Sequence, residues 1–298
     1  MEYSFLGKSD LNISKIGFGC MSLKPSQSDV QWLIDEAIDN GINYFDTADL
    51  YDKGLNESMI GQALKHHRSK IIIATKGGNE WKKDGSGWDW NPTKEYLINA
   101  AEQSLQRLQI DYIDLYQLHG GTIEDNMDET IEAFEILKQQ GKIRYYGISS
   151  IRPNVILEYM KHSNIVSVMT QYSLLDRRPE ETTLPLLLQN KIGVLARGTV
   201  AGGLLAGKQA KSYLNYSIDQ VTKAASAIRN ISEAASNGSE ASIRYVISNP
   251  AITAAVVGIR TGDQLNDAVR ASTKGSLREN EIQQLRISIP ANYYEQHR

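Results

Sequence analysis

The segment INYFDTADLY, residues 42–51, begins like a buried strand and ends in polar side chains. Its first half, residues 42–45, is rich in the β-branched and aromatic side chains that favour a sheet. The apolar run stops at Asp46, and Tyr51 follows five residues later. A buried carboxylate is costly unless another group compensates its charge, so we expect a partner for Asp46 at the end of another strand.

The pattern of this segment recurs along the chain as a short apolar strand, a polar loop and an amphipathic helix. The eight predicted strands cover residues 16–20, 42–45, 71–75, 112–118, 143–148, 166–170, 192–196 and 253–257. The predicted helices cover residues 28–40, 57–65, 92–108, 128–140, a stretch from Pro153, 184–189, 219–235, 240–248, a stretch around Leu265, and 278–287.

Strands that alternate with helices predict a parallel sheet, and the apolar side chains on both faces of each strand agree with this prediction. Eight such units within 298 residues favour an α/β fold, a (β/α)8 TIM barrel, over two doubly wound domains. A Gly-Lys-Ser-Asp turn signal between two short alternating stretches in residues 3–16 predicts an N-terminal β-hairpin. We therefore expect residues 1–298 to form a single barrel domain.

Composition and charge exclude several classes of function. A hydrophobic content of 41% and a charged content of 22% are typical of a globular protein with an ample core. The net charge of −3 gives no sign of a surface for nucleic acid or for an anionic membrane, so neither partner is expected. The single cysteine, Cys20, and the lack of an N-terminal apolar segment predict a cytoplasmic protein. Without a His, Cys and Asp cluster at ligand spacing, we predict no metal.

Polar residues follow seven of the predicted strands, and barrel enzymes carry their active sites at the carboxyl ends of their strands. These residues are Asp46, Lys76, His119, Ser149, Gln171, Arg197 and Arg260, with Tyr51 just beyond the first of them. Each has an ordinary structural alternative, since Asp46 suits a helix cap, Lys76 a solvent contact and His119 a loop hydrogen bond. Seven strands that end in this way favour a common site over seven separate coincidences.

The residue types at this rim suit proton transfer. A tyrosine hydroxyl has a pKa near 10, and a neighbouring ammonium group lowers it by stabilising the phenolate. Asp46 would keep Lys76 charged, Lys76 would make Tyr51 usable near neutral pH, and His119 would hydrogen-bond a substrate oxygen. Such a site would protonate an oxygen as it becomes an alkoxide, and it would need a separate source of hydride.

The motifs that carry these residues resemble those of the aldo-keto reductases, in order and over nearly the whole chain. The matching segments are Phe45-Asp46-Thr47-Ala48 with Tyr51, Ala74-Thr75-Lys76, Gln117-Leu118-His119, Gly147-Ile148-Ser149-Ser150, Gln171-Tyr172-Ser173 and Gly203-Leu204-Leu205-Ala206-Gly207-Lys208. The resemblance implies a barrel whose N-terminal hairpin plugs its bottom. It also implies NADPH bound in an extended pose, and a small-molecule carbonyl substrate. The segment Gly17-Phe18-Gly19 lacks the third glycine of a Rossmann fingerprint, in agreement.

The resemblance also implies roles for individual residues. Tyr51 would be the general acid, Asp46 and Lys76 would tune it, and His119 would orient the substrate. The implied cofactor contacts are Ser149, Ser150 and Gln171 at the carboxamide, Arg197 at the nicotinamide, Gly198, Leu204 and Lys208 along the pyrophosphate, and Arg260 and Gln264 at the 2′-phosphate. Gly258 is a further implied cofactor contact.

Three positions depart from the family pattern, two of them among the implied cofactor contacts. Ser150 replaces a common Asn, and Ala268 replaces an Asn near the adenine. Arg197 replaces a common Tyr that stacks on the nicotinamide, and its charge should disfavour NADP⁺ more than NADPH.

Three tryptophans, Trp81, Trp88 and Trp90, fall in the loop after Lys76 and suggest an apolar wall for the substrate. The alternative is that they only pack this loop against the following helix. Two other functions stay open, namely a slow NADPH-binding regulatory subunit and a Schiff-base lyase that uses Lys76. The sequence predicts neither the substrate nor the oligomeric state.

Overall fold

The computed structural model describes residues 1–232 and 237–298 of the chain. The strands are β1 (Tyr3–Phe5), β2 (Asn12–Ser14), β3 (Ile16–Gly19), β4 (Tyr44–Asp46), β5 (Ile72–Gly77), β6 (Asn79–Trp81), β7 (Trp88–Trp90), β8 (Ile113–Leu118), β9 (Ile143–Ser149), β10 (Ser167–Gln171), β11 (Gly193–Arg197) and β12 (Ile252–Gly258). The helices are α1 (Val30–Asp39), α2 (Leu55–Leu64), α3 (Lys94–Leu108), α4 (Met127–Gln139), α5 (Pro153–His162), α6 (Thr183–Gln189), α7 (Ile218–Ile231), α8 (Ser239–Ile247), α9 (Gly262–Lys274) and α10 (Glu279–Ser288).

Eight of these strands close into a parallel barrel, which confirms the predicted α/β (β/α)8 TIM barrel. The order around the barrel is β3-β4-β5-β8-β9-β10-β11-β12, so each strand pairs with the next barrel strand along the chain and β12 pairs with β3. Apolar side chains fill the space between the outer wall of the barrel and the helices, and they form the larger of two buried clusters. The smaller cluster lies inside the barrel.

The N-terminal hairpin closes the bottom of the barrel, as expected. Strands β1 and β2 pair antiparallel, and Leu6, Leu11 and Ile13 of the hairpin join the smaller cluster. Gly7 reaches the barrel strands so closely that an added Cβ would lie 2.3 Å from the carbonyl oxygen of Val166, and its φ of +59° also favours glycine. The turn is thus held against the amino ends of the strands, which leaves their carboxyl ends open.

Three predicted helix starts differ by two residues from the observed ones, and one of these is α2, which begins at Leu55 and was expected from residue 57. The helix expected from Ser28 begins at Val30 after Asp29, and the side chain of Gln27 donates to Asp29 and to the carbonyl oxygen of Arg260. The helix expected from Pro92 begins at Lys94, where Thr93 caps α3. Of the helix predicted over 219–235, residues 233–235 lie outside the described residues.

The tryptophan-bearing loop contains a hairpin that the sequence did not predict. Strands β6 and β7 pair antiparallel and place Trp81 opposite Trp88. In the described part of the chain, no helix has the length and apolarity needed to cross a membrane.

Candidate active site

In each barrel strand, every second side chain points into the barrel, and this alternation brings the predicted residues together at the carboxyl end of the barrel. The inner cluster marks which side chains point into the barrel, and it includes Tyr44, Ala74, Leu115, Met169 and Leu195. Two residues further along each strand, the same orientation continues into polar side chains, since successive residues alternate between the two faces. The residues that continue it are Asp46, Lys76, Gln117, Gln171 and Arg197, and His119 lies two residues beyond Gln117. The rim is therefore a polar layer on top of an apolar plug.

Asp46 and Lys76 form a buried ion pair at the centre of this layer. Lys76 Nζ lies 2.5 Å from Asp46 Oδ1 and 2.7 Å from the carbonyl oxygen of Thr47, and both side chains are almost completely buried. The second oxygen of Asp46 accepts a hydrogen bond of 3.2 Å from Gln117 Nε2. Gln117 points into the barrel because Leu115, two residues earlier, does so. This spacing could have predicted its place in the site, but the sequence analysis did not use it.

The hydrogen bonds around this pair keep it ionised. Burial raises the pKa of Asp46, and Lys76, by its charge and its hydrogen bond, reduces that rise without cancelling it. Burial alone would lower the pKa of Lys76, but Asp46 and Tyr51 raise it above its usual value. An ammonium group has three hydrogen atoms to donate, and the three oxygen atoms near Nζ match that number. We therefore treat Lys76 as protonated.

Tyr51 lies beside this ammonium group. Its hydroxyl oxygen accepts a hydrogen bond of 3.4 Å from Lys76 Nζ, and its ring meets the ring of His119 edge to face at 5.8 Å. Burial raises the pKa of Tyr51 and Lys76 lowers it, with a net rise. The expectation that Lys76 brings this pKa towards neutrality is therefore wrong for the free protein, because burial outweighs the charge. The phenol is held protonated at neutral pH.

His119 is a neutral imidazole in this setting. Burial, and then the charges of Lys76 and Arg197, lower its pKa to about 3. Its Nδ1 atom is buried without a hydrogen-bond partner among the described residues. A neutral imidazole carries one N–H donor, so His119 can hydrogen-bond a substrate oxygen without adding a charge.

The predicted carboxamide contacts lie on neighbouring strands of the rim. Ser149 and Ser150 are buried at the end of β9, and Ser150 Oγ accepts a hydrogen bond of 3.2 Å from the backbone of Arg152. Gln171 ends β10, and its Oε1 atom accepts a hydrogen bond of 3.0 Å from Arg197 Nη1 at the end of β11. Gln171 and Arg197 thus act as one unit, which the sequence did not reveal.

The predicted phosphate contacts follow β11 and β12. Gly198 has a φ of +72°, Leu204 is buried, and exposed Lys208 donates a hydrogen bond of 2.9 Å to the carbonyl oxygen of Gly202. Gly258 ends β12 and is exposed, as is Arg260 just before α9. Gln264 in the first turn of α9 accepts a hydrogen bond from the backbone N–H of Arg260. These predicted phosphate contacts lie in the segments that follow β11 and β12. The two strands are neighbours in the barrel, so the contacts adjoin the rim.

The three tryptophans have different environments. Trp81 Nε1 donates to the carbonyl oxygen of Leu50, which places this indole next to Tyr51. Trp90 Nε1 donates to Asp125, and its ring covers Gly78 and Gly120. Trp88 is 49% exposed. The structure therefore brings Trp81 and Trp90 to the rim, whereas Trp88, the cross-strand partner of Trp81, stays about half exposed on the hairpin. In residues 1–232 and 237–298, no three His, Cys, Asp or Glu side chains are grouped to hold a metal ion.

Comparison with known proteins agrees with this geometry. The chain matches the model of the Aldo/keto reductase family over residues 15–289. It is 51% identical to the uncharacterized oxidoreductase YqkF of Bacillus subtilis (strain 168), over 98% of each chain. The holo form of aldo-keto reductase AKR11C1 from Bacillus halodurans has a similar structure, with a TM-score of 0.93 and 48% identity over 100% of this chain and 99% of that chain. The NADH-specific methylglyoxal reductase of Escherichia coli (strain K12) is 33% identical over 70% of each chain.

The chain belongs to the aldo-keto reductase family, and the predicted membership and enzyme class are confirmed. It is an oxidoreductase of a family in which carbonyl reduction is general. Aldo-keto reductases use nicotinamide cofactors, and dependence on NADP is typical of the family.

A buried carboxyl group beside the site was missed by sequence reasoning. Asp49 is 8% exposed, its Oδ2 atom accepts a hydrogen bond of 3.3 Å from Tyr96, and its Oδ1 atom has no partner among the described residues. Burial and the nearby charge of Glu57 raise the pKa of Asp49 to about 7.

This raised pKa predicts a pH-dependent stability. Between about pH 4, the unfolded value, and pH 7, the folded protein holds a proton that the unfolded chain has released, so stability falls as pH rises. Asp49→Asn removes this loss. The difference between the free energies of unfolding of the variant and of the wild type should increase in favour of the variant from pH 4 to pH 8, by at most about 1.4 kcal/mol per pH unit. Urea unfolding at a series of pH values measures the difference, and parallel curves for the two proteins would contradict it.

Proposed function

We propose that this protein is an NADPH-dependent carbonyl reductase that converts aldehydes and ketones to alcohols, with Tyr51 as the general acid. The observation that carries the proposal is the sequence of contacts from Asp46 through Lys76 to Tyr51, beside a neutral His119. Asp46, Tyr51, Lys76 and His119 are thus the proposed catalytic groups. A carbonyl oxygen between Tyr51 and His119 would meet one proton donor and one hydrogen-bond donor.

The proton step follows from the electrostatics of the rim. Because the pKa of Tyr51 is raised, the phenol carries its proton at neutral pH. The proton passes from the Tyr51 hydroxyl to the carbonyl oxygen as that oxygen gains negative charge, which leaves a phenolate. Lys76, whose charge is fixed by Asp46, stabilises that phenolate more than it stabilises the neutral phenol. Bound NADPH supplies the hydride that reduces the carbonyl carbon.

The residues of the rim suit such a cofactor. Among residues 1–232 and 237–298, the buried Nδ1 atom of His119 has no hydrogen-bond partner, and an added Cβ at Gly202 would meet no atom within 4 Å. The rim therefore has an unused polar atom, and the loop after β11 has open space beside its backbone. Ser149, Ser150, Gln171 and Arg197 would hold the nicotinamide end. Gly198, Leu204 and Lys208 would follow the pyrophosphate. Arg260 and Gln264 would hold the 2′-phosphate, for which a guanidinium group and a helix N-terminus are suited, and Gly258 would contact the cofactor at the end of β12.

Arg197 would bias the cofactor site towards the reduced form. Arg197 is the last residue of β11, and its guanidinium group is held at the inner rim by a hydrogen bond to Gln171. A nicotinamide ring is positively charged when oxidised and neutral when reduced, so a fixed cation beside it weakens the binding of NADP⁺ more than that of NADPH. The protein would therefore favour reduction and release of the oxidised cofactor.

The proposed substrate wall is apolar. Trp81, which is bonded to the carbonyl oxygen of Leu50 next to Tyr51, would line the substrate pocket, with Trp88 opposite it on the hairpin. Trp90 is anchored by Asp125 and supports the backbone next to His119. This arrangement favours small aldehydes and ketones with apolar substituents.

A Schiff-base lyase is disfavoured by the state of Lys76. Such an enzyme needs a neutral amine, whereas the contacts of Lys76 raise its pKa. Borohydride reduction in the presence of an aldehyde, followed by mass spectrometry of the Lys76 peptide, separates the two mechanisms. A regulatory subunit would bind NADPH and turn over slowly on every carbonyl compound in a broad panel.

Replacement of Tyr51 by phenylalanine tests the general acid. Tyr51→Phe should lower kcat for aldehyde reduction by about 10²- to 10⁴-fold, the range for loss of a general acid, and should leave NADPH affinity nearly unchanged. NADPH oxidation gives kcat, and nicotinamide fluorescence gives the affinity. Tyr293→Phe, at an exposed tyrosine, is the matched control and should behave as the wild type. Full activity of Tyr51→Phe would remove Tyr51 from the mechanism.

Replacement of Arg260 tests the preference for NADPH. Arg260→Ala should weaken NADPH binding by about 10- to 100-fold, since charge-assisted contacts contribute about 1.5–3 kcal/mol, and should change NADH binding little. Arg278→Ala removes another exposed arginine and should change neither. An equal loss of affinity for both cofactors would show that Arg260 does not bind the 2′-phosphate.

A further inference from the structure

A fully buried carboxylate, Asp176, lies behind the nicotinamide end of the proposed site. It belongs to the turn that follows β10, where Ser173 and Asp176 exchange two backbone hydrogen bonds. Arg178 binds both carboxylate oxygens, with Nε 2.7 Å from Oδ1 and Nη2 2.8 Å from Oδ2. The ring of Tyr294 lies 4.8 Å from this guanidinium group. These contacts hold Asp176 in one position.

The same carboxylate binds the side-chain amide of Gln171. Gln171 Nε2 donates to Asp176 Oδ2 at 2.8 Å and to the hydroxyl oxygen of Tyr213 at 3.1 Å, which uses both of its hydrogen atoms. Gln171 Oε1 accepts from Arg197 Nη1. The amide is thus enclosed on three sides by groups from the turn, from the loop after β11 and from the rim.

The chemistry of these neighbours determines which way the amide faces. An ionised carboxylate only accepts hydrogen bonds and a guanidinium group only donates them, whereas the hydroxyl of Tyr213 can do either. If the amide were flipped, its oxygen would face Asp176 and its NH₂ group would face Arg197, so both contacts would become repulsive. Asp176 and Arg197 therefore both favour the same orientation of the Gln171 amide. Of the two, only Asp176 is held in place by a residue outside the rim, Arg178.

We propose that Asp176 is a positioning residue for the nicotinamide end of the cofactor site, because it fixes the orientation of the Gln171 amide and, through it, the position of the Arg197 guanidinium group. This inference rests on the proposed function and deepens it. Since both Nε2 hydrogen atoms are engaged, Gln171 offers the cofactor only the remaining acceptor capacity of Oε1, which suits the NH₂ group of the carboxamide. Arg197, held by that amide, can discriminate between the two redox states of the ring.

The test compares the binding of the two redox forms in the full-length protein. Nicotinamide fluorescence gives Kd for NADPH, and displacement of NADPH gives Kd for NADP⁺. In Asp176→Asn, the ratio of Kd for NADP⁺ to Kd for NADPH should fall by about three- to tenfold, the range for loss of one ordinary hydrogen bond, because Arg197 is displaced and not removed. Arg197→Met should lower the ratio at least as far. In the Arg197→Met background, Asp176→Asn should cause no further fall.

Two further variants show whether Asp176 acts by positioning Gln171 and Arg197 or only by stabilising the fold. Asp114→Asn removes a similarly buried carboxylate near the other end of the barrel, which pairs with Arg68 and Arg144 where Asp176 pairs with Arg178. It should lower stability and leave the ratio unchanged. Asp176→Asn combined with Arg178→Met leaves no unpaired buried charge, so it folds more readily than the single variant and should show the same fall in the ratio.

The outcomes distinguish this inference from the proposed function. A wild-type protein that binds no NADPH, or an Arg197→Met variant with the wild-type ratio, would overturn the proposed cofactor site and the inference with it. A ratio that changes in Arg197→Met but not in the Asp176 variants would overturn the inference alone. Equal weakening of both redox forms in Asp176→Asn, fully additive with Arg197→Met, would likewise assign Asp176 only to stability.

Discussion

The buried ion pair between Asp46 and Lys76 is the interaction on which the rest of the rim depends. Two charges with almost no exposure are expensive, and they persist only because each is hydrogen-bonded, Lys76 to Asp46, to the Thr47 carbonyl and to Tyr51, and Asp46 to Gln117 as well. The pair places a fixed positive charge beside the Tyr51 hydroxyl. Burial and this charge act on the phenol in opposite directions, so the tyrosine stays protonated at rest and its anion is stabilised when it forms. A general acid must hold its proton at rest, and Lys76 lowers the cost of giving that proton up.

Much of the fold and of the rim could be predicted from the sequence, because both follow from simple periodicities. Eight apolar strands separated by amphipathic helices leave few architectures, and the structure contains the parallel barrel they favour. Residues two apart in a strand face the same side. Asp46 and Lys76 therefore point into the barrel, as Tyr44 and Ala74 do two residues earlier. The proximity of Asp46, Lys76 and Tyr51 was therefore predictable. The net direction of the Tyr51 pKa was not, because it depends on the degree of burial.

The features that the sequence did not reveal lie in loops, where no periodicity operates. The β6–β7 hairpin is short and polar apart from its tryptophans, so its pairing was not apparent. Asp49 lies in the turn after β4, and its raised pKa comes from burial and from Glu57 on the following helix. Asp176 lies in the turn after β10, and its link to Arg197 passes through the orientation of one amide group. Contacts of this kind depend on three-dimensional positions that only the folded chain defines.

A double-mutant cycle on Asp46→Asn and Lys76→Met tests most directly whether the central pair is ionised and coupled. Breaking a buried ion pair from one side leaves an unpaired charge, so each single variant should lower the free energy of unfolding by about 3–5 kcal/mol. The double variant, which buries neither charge, should lose much less than the sum of the two single losses. Strictly additive losses, measured by urea unfolding at neutral pH, would contradict the account, because they would mean that Lys76 holds no charge for Tyr51 to use.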